Sequence, residues 1–296
     1  MLYGLDFSWH WSPGVLIVII LLCLFYFLGI SRVRKNNAQD KPLKHVQVVA
    51  FVVAIVAMAC LLLTPIDTIA RTQSFFFHMV QVVVLTTLCA PLLLFACPSW
   101  LIQPLLGQPI ARRIAQILTH PIVASLIFNL TFFAWHVPSL FNFALEHGTL
   151  YHVALFSLLF TALLNWWPLI GPVRELRRMG YPLQMLYAFL DGQPVDIFAF
   201  LLVFSGTVFY THYVIPPQLG IPAFGDQAAG GAFLLIPGLV DLVVMSPLFI
   251  RWLAQMEEQA KKNDQRLQEL AEAQAARLQE EEDEEEVEGE VSEANG

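Results

Sequence analysis

The sequence predicts an all-α, polytopic membrane protein with seven transmembrane helices, an outside N-terminus and a cytoplasmic C-terminus. Its 296 residues are 57% apolar and only 14% charged, whereas ordinary soluble domains are about a quarter charged. Apolar runs of about 20 residues recur along the chain, and each is long enough to cross about 30 Å of hydrocarbon as a helix. Lys and Arg are concentrated in every second loop, and this alternation of basic loops sets the orientation.

Seven apolar segments give the helix count. They are predicted at residues 13–30, 45–64, 74–97, 121–143, 149–170, 195–213 and 230–252. The sixth segment belongs to a longer stretch that begins at residue 183 and is interrupted by Asp191-Gly192-Gln193-Pro194. We predict residues 195–213 as its spanning part, with a tilted or broken helix over the whole stretch as the alternative. Pro237 and Pro247 are expected to kink the seventh helix.

The orientation follows from the loops, because Lys and Arg are retained on the cytoplasmic side of short loops. The loops after the first, third and fifth segments are basic, whereas the loops between them hold Arg71 and then no Lys or Arg. The basic loop residues are Arg32, Arg34, Lys35, Lys41 and Lys44, then Arg112 and Arg113, then Arg174, Arg177 and Arg178.

The chain divides into two parts by composition. Residues 1–252 form the seven-span bundle, and residues 253–296 form a cytoplasmic charged helix followed by an acidic tail. The like-charged block at 280–286 cannot bury a core, so we predict that it is disordered.

The histidines are the strongest chemical signal. With the predicted topology, six of the eight belong to the outer membrane face, and imidazole is a ligand for copper, zinc, iron and nickel. The candidate metal ligands are His78, His136, His152, His147 and His212. Asp67, Asp226 and Gln227 are candidate supporting groups, since a carboxylate either ligates a metal or accepts the second N–H of a ligating imidazole. The competing interpretation is that each histidine is a polar tip on an aromatic-rich, interfacial helix end.

Three carboxylates form a second signal. Asp191, Asp196 and Asp241 lie in or near apolar segments, where each carboxylate costs about 2.5 to 3.5 kcal/mol to insert. They indicate either an ion or proton path or polar contacts between helices, such as a pairing of Asp241 with Gln193 or Asn129.

Other function classes are disfavoured by the same sequence. The four cysteines form no Cys-x-x-Cys pair, so a disulfide framework or thiolate zinc site is not expected. The residues contain no nucleophile and base arranged for hydrolysis, so we predict no enzyme. The basic residues are few in each loop and form no basic patch, which excludes nucleic-acid binding as a main activity.

Several motifs resemble those of the caa3-type cytochrome c oxidase assembly factors. Phe77-His78-Met79-x-Gln81 with Ala90-Pro91-Leu92-Leu93 resembles the family's third-span motif. Trp135-His136-x-Pro138, His152 and Trp166-Trp167-Pro168 follow in order, and Asp226-Gln227-x-x-Gly230-Gly231 is similar to the signature before the last span. The resemblance covers residues 45–252.

The resemblance implies a multi-pass protein of the bacterial plasma membrane that helps to mature a haem-copper oxidase, with oxidase subunits as partners. The proposal usual for this family is copper handling at the outer face, for which His78, His136 and His152 are the matched candidates. Val82 and Gly148 stand where the family commonly has further histidines. The loss of both i, i+4 histidine pairs weakens any metal site, and His147 and His212 are the candidates to compensate for it.

Two other functions stay open at this point. A transporter of copper or protons would use Asp191, Asp196 and Asp241, and a metal-free scaffold of oxidase subunits would use the histidines as interface residues. Haem ligation by two facing histidines is a lesser possibility than copper. The sequence does not set the oligomeric state.

Overall fold

The structure, a computed structural model, describes residues 4–36, 43–177 and 179–294. Within these ranges every regular element is a helix, which confirms the predicted all-α class. The α-helices are α1 Pro13–Asn36, α2 His45–Leu62, α3 Pro65–Thr72, α4 Phe75–Val83, α5 Ala90–Ala96, α6 Ser99–Ile102, α7 Pro109–Leu118, α8 Pro121–His136, α9 Pro138–Glu146, α10 Gly148–Ile170, α11 Tyr181–Phe204, α12 Ala223–Phe233 and α13 Ile236–Ala294. Lys41 and Arg178, counted among the basic loop residues, lie outside the described ranges.

The polytopic character is also confirmed. Six helices of the described chain are long and apolar enough to span a membrane. A seventh span is obtained if α7 and α8, which meet at an angle of 67°, are counted together. The orientation of the termini stays a prediction.

The third and fifth spans form the centre of the bundle. Of the most apolar window in the span Phe75–Ala96, 56% is buried, and for α10 the value is 50%, against 22% for α1 and for α11. A π-helical segment, Val84–Cys89, joins α4 to α5 within this central span. Since π-turns are frequent at functional sites, this segment favours a functional site at the centre of the bundle.

The fourth segment differs from the prediction of one helix over residues 121–143. The structure breaks it into α8 and α9, with Val137 extended at φ −64° and ψ 123°. The cause is Pro138, which disfavours the helical conformation at the residue before it and cannot donate a backbone hydrogen bond. The break leaves His136 as the last residue of α8.

The sixth span was predicted wrongly at residues 195–213. The observed helix α11 runs through Asp191-Gly192-Gln193-Pro194 and ends at Phe204, after which Gly206 turns the chain at φ +64°. The polar step stays helical because Asp191 accepts hydrogen bonds from amides on two neighbouring helices. His212 therefore lies in the connection after α11 and not at its end.

The last span also begins earlier than predicted. Helix α12 starts at Ala223, so Asp226 and Gln227 lie inside a helix and not before it. The predicted kink at Pro237 is observed as a break at residues 234–235, between α12 and α13, where proline would remove a backbone hydrogen bond.

The acidic block at 280–286, predicted as disordered, is helical in the structure and belongs to α13, which extends to Ala294. Glu is a strong intrinsic helix former, and adding residues to an existing helix avoids the unfavourable nucleation step. Ion pairs four residues apart, Lys261 with Glu257 and Lys262 with Glu258, support the helix before the block.

The chain separates into two compact units, Met1–Met245 and Ser246–Gly296. The candidate site described below lies entirely in the first unit. The compositional boundary at residue 252 stays a prediction.

The predicted orientation is tested with single cysteines in a variant that lacks Cys23, Cys60, Cys89 and Cys97. Glu175 and Gln218 are both exposed and lie in connections predicted to face the cytoplasm and the outside, respectively. We expect a membrane-impermeant maleimide to label Gln218→Cys in sealed cells and to label Glu175→Cys only after permeabilisation. The reverse pattern would contradict the orientation.

Candidate functional site

Two histidine rings meet in the core of the bundle. The ring centroids of His78 and His136 are 5.6 Å apart, and each residue is only 3% exposed. His78 lies in the first turn of α4, which Ser74 caps by accepting a hydrogen bond from Phe77. His136 ends α8, so the proline-induced break described above fixes its place opposite His78.

Hydrogen bonding sets the tautomer of each ring. The Nδ1 of His136 lies 2.7 Å from the carbonyl oxygen of Phe132, which can only accept, so Nδ1 carries the proton. The Nδ1 of His78 lies 2.9 Å from the hydroxyl of Tyr151, and that hydroxyl donates its own proton to Oε1 of Gln81. His78 therefore also donates from Nδ1.

The same bonds leave an unshared electron pair on both Nε2 atoms. Each Nε2 is buried and lacks a hydrogen-bond partner among the residues that the structure describes. A buried acceptor without a partner loses hydration with no compensation, at about 1–3 kcal/mol. Two such atoms on adjacent rings make the pair the candidate binding site.

Aromatic side chains enclose the pair. Phe132 stacks on His136 with centroids 4.1 Å apart, and Phe141 contacts both rings, at 4.7 Å from His78 and 6.0 Å from His136. Such apolar surroundings disfavour a charged imidazolium. The two rings are therefore neutral and available as nitrogen ligands.

His152 reaches the pair through a chain of polar side chains. Its Nε2 donates to Asp67, at 3.0 Å from Oδ2 and 3.2 Å from Oδ1. Gln81 donates to the same carboxylate at 3.1 Å and accepts from Tyr151, which in turn accepts from His78. His152 and Asp67 are thus connected to the site, but the Nε2 of His152 is occupied by Asp67.

Gln81 and Tyr151 were not assigned a role from the sequence. Gln81 lies three residues after His78, on the same face of α4, and is fully buried. That spacing is the signal that could have identified it. Tyr151 precedes His152, and its contact with α4 has no signature in the sequence.

Asp226 and Gln227 hold the elements around the pair in place. Asp226 accepts hydrogen bonds from the Ser74 hydroxyl at 2.6 Å and the Phe75 amide at 2.7 Å, so it fixes the first turn of α4. Gln227 accepts from the Phe209 amide at 2.7 Å and donates to the Thr207 carbonyl at 2.9 Å. Both side chains act on backbone groups and a hydroxyl and not on an imidazole, so their predicted support of a metal ligand stays a prediction.

The connection that Gln227 holds covers the histidines. Tyr210 donates to the carbonyl oxygen of His136 at 2.8 Å, and Tyr213 donates to that of Ala70 at 3.0 Å. Burial raises the pKa of Tyr210 and, together with the nearby Tyr151 phenol, that of Tyr213, so both hydroxyls keep the protons that these bonds need. The connection therefore packs directly against the residue that ends α8.

The remaining predicted ligands lie elsewhere. His147 is exposed and its Nδ1 donates to the Phe143 carbonyl at 2.9 Å. His212 is half-buried and its ring contacts Tyr213. In the described ranges no ring contact joins either residue to His78 or His136, and no group of three or more His, Cys, Asp or Glu side chains is placed to hold a metal.

Gly148 and Val82, the two departures from the family pattern, have structural explanations. A Cβ on Gly148 would collide with the guanidinium of Arg71, so a side chain at this position would require the Arg71 side chain to move. Val82 is only 1% exposed and belongs to the main apolar core. Of the five histidines predicted as ligands, His78 and His136 are the two whose rings contact each other in the described chain.

Asp191, Asp196 and Asp241 come together as well. All three line one cavity, together with Asn165, Tyr187 and two threonines of the π-helical segment. The alternative pairing of Asp241 with Gln193 or Asn129 is not observed: Asn129 donates to Asp191 at 3.3 Å, and Gln193 donates to the Phe189 carbonyl.

The anchoring role of Asp226 leads to a stability prediction. Replacing Asp226 by Ala leaves the Phe75 amide and the Ser74 hydroxyl buried without their acceptor, so we expect the free energy of unfolding to fall by about 1–3 kcal/mol. An unfolding titration of the detergent-purified protein measures this. Asp6→Ala is the matched control, because Asp6 is exposed and accepts from the neighbouring Ser8 amide. Equal losses in the two variants would contradict the assignment.

Comparison with known proteins gives one match. Neither a curated protein nor a solved structure matches the chain. The family model of the cytochrome c oxidase caa3 assembly factors matches residues 24–255, which is more than half of the chain. That family is one of assembly factors and not of enzymes. The chain, a multi-pass helical membrane protein, therefore belongs to the cytochrome c oxidase caa3 assembly factor family.

Proposed function

We propose that this protein binds Cu(I) between His78 and His136 and holds it for the copper centre of a haem-copper oxidase. The observation that carries the proposal is the pair of buried, unpartnered Nε2 atoms on rings 5.6 Å apart. Both electron pairs are available without loss of a proton, because each ring keeps its hydrogen on Nδ1. Metal binding to neutral imidazole is then not opposed by proton release.

The number and type of ligands favour Cu(I) over other ions. Imidazole suits copper, zinc and iron, but structural zinc sites take four ligands and catalytic zinc sites three from the protein. Cu(I) is stable with two nitrogen ligands and no geometric preference from its filled d shell. A site with two neutral nitrogens in apolar surroundings therefore matches Cu(I) best.

The hydrogen bonds on the far side of each ring support a ligand role. Ligating histidines generally donate their second N–H to a carbonyl, a carboxylate or a similar acceptor. His136 does so to the Phe132 carbonyl, and His78 does so to Tyr151, behind which Gln81 and Asp67 continue the chain. In this arrangement Asp67 and His152 affect the basicity of His78 through the hydrogen-bond chain, and they do not bind the ion themselves.

Haem fits these residues less well than copper. A porphyrin between the rings would have to displace Phe141, which contacts both, and separate Phe132 from His136.

We place the copper exchange at the bacterial plasma membrane, with oxidase subunits as the partners that receive the ion.

The copper role predicts a selective loss of Cu(I) affinity. An anaerobic titration of the purified protein against a Cu(I) chelator measures it, with one equivalent expected to bind. We expect His78→Ala and His136→Ala to abolish this binding. His147→Ala is the matched control and should bind as the unmodified protein does, because that ring is exposed and apart from the pair. Unchanged binding in both ligand variants would remove the copper role.

A second variant separates ligation from general damage. Tyr151→Phe keeps the aromatic ring but removes the acceptor of the His78 Nδ1–H, so Cu(I) affinity should fall about 10- to 100-fold without loss of the folded state. X-ray absorption at the copper edge should show two nitrogen neighbours. If oxidase subunits still co-purify with a copper-free His78→Ala, His136→Ala variant that supports full oxidase activity, the metal-free scaffold is the correct function.

A further inference from the structure

A second polar site lies in the same bundle, apart from the histidine pair. Asp191 and Asp196 of α11 and Asp241 of α13 line a cavity of about 70 Å³. The π-helical segment contributes Thr86 and Thr87 to the same lining. The copper proposal uses none of these residues.

The carboxylates are close together. The position that a Cβ on Gly192 would take lies 3.2 Å from Oδ2 of Asp241 and 4.0 Å from Oδ2 of Asp196. The two carboxylates therefore both approach the point that a Gly192 side chain would occupy, and both line the same cavity. Like charges around one cavity in an apolar bundle disfavour full ionisation of both groups.

No positive charge compensates them. The titratable groups that face the cavity are Asp191, Asp196 and Tyr187 on α11 and Asp241 on α13. The other elements present uncharged side chains there, which are Phe128, Phe132, Asn165, Trp166 and the two threonines of the π-helical segment. None of the ion pairs in the described chain involves these carboxylates. Some of the negative charge must then be neutralised by a small bound cation or by protons.

Asp191 differs from the other two carboxylates. Its Oδ2 accepts from the Asn165 amide, and its Oδ1 accepts from the Asn129 amide at 3.3 Å. Acceptance at both oxygens is the pattern of an ionised carboxylate. Asn129 is itself 9% exposed, and its Oδ1 is buried without a partner in the described ranges, so this amide contacting the cluster offers an acceptor to a proton donor.

Asp191 also lines a second, larger cavity. A groove of about 610 Å³ between α8 and α11 contains Asp191 at one end and Thr119 and His120 at the other. The inner cavity and the groove therefore share Asp191 in their linings.

We propose that the Asp191, Asp196 and Asp241 cavity is a proton-binding site that exchanges its protons through the α8–α11 groove. Asp196 and Asp241 hold the bound proton, and Asp191 passes it between the cavity and the groove. A metal cation is the weaker occupant, because these carboxylates do not form a described group of three or more metal-ligating side chains. The site acts whether or not copper is bound, so its test is separate from the copper titration.

Infrared spectroscopy of the full-length protein in lipid tests the proposal, because protonated and ionised carboxyl groups absorb at separate frequencies. As the pH of the perfusing buffer is raised through neutrality, we expect the protonated-carboxyl band to be lost in the unmodified protein. Asp241→Asn and Asp196→Asn should each remove this change. Asp264→Asn, at an exposed position of α13, is the matched control and should keep it.

The exchange route is tested by changing the buffer to heavy water. The band should shift as the carboxyl proton is replaced by deuterium, and Asp191→Asn should slow that shift while keeping the band. If Asp241→Asn does not fold, Gly192→Ala serves instead, since its methyl group would lie 3.2 Å from Oδ2 of Asp241 and should alter the titration. A titrating band that persists in both asparagine variants, or one that sodium or calcium ions abolish at constant pH, would overturn the proposal.

Discussion

Polar groups inside a membrane-spanning bundle must find their partners within the protein, because hydrocarbon offers none. Most of the buried polar side chains in this structure obey that constraint, and the bonds they make determine how the helices are arranged. Asp226 ties α12 to the start of α4, and Gln227 ties it to the connection after α11. Gln81 joins α4 to Asp67 of α3.

Some buried polar atoms have no hydrogen-bond partner in the described chain. Seven side-chain atoms in the part of the chain that the structure describes are buried without a partner, among them the Nε2 atoms of His78 and His136 and the Oδ1 of Asn129. Each unpaired atom opposes folding, yet the surrounding bonds hold its side chain in that position. We interpret the two nitrogens as a place for copper, whereas the oxygen belongs to the amide that donates to Asp191 beside the proposed proton site.

Much of the fold could be predicted from the sequence, because lipid imposes long apolar runs that are easily recognised. The helix ends were harder to predict. Residues 191–194 were expected to interrupt the sixth span, since their polarity has no local compensation, but Asn129 and Asn165 supply it from other helices. Proline had the opposite effect at residue 138, where the backbone restriction ended a helix that the apolar pattern would have continued.

The candidate site was predictable in part. The histidine residue type and the family motifs identified His78, His136 and His152 as candidate metal ligands. The motifs also identified Asp226 and Gln227 as candidate supporting groups. The metal role of all five residues stays a prediction. The sequence could not show that Asp67 occupies His152, or that Arg71 fills the space beside Gly148. Both facts depend on contacts between helices that are distant in the chain, for which residue spacing along one helix gives no indication.

The contact between Asp226 and α4 also has a consequence for biosynthesis. Because the first turn of α4 carries His78, and the carboxylate that fixes that turn belongs to α12, the final geometry of the pair depends on a residue synthesised about 150 positions later. A nascent chain that has inserted only its first five spans lacks this restraint. Under the copper proposal, metal capture would then wait until the ribosome has completed almost the whole transmembrane region.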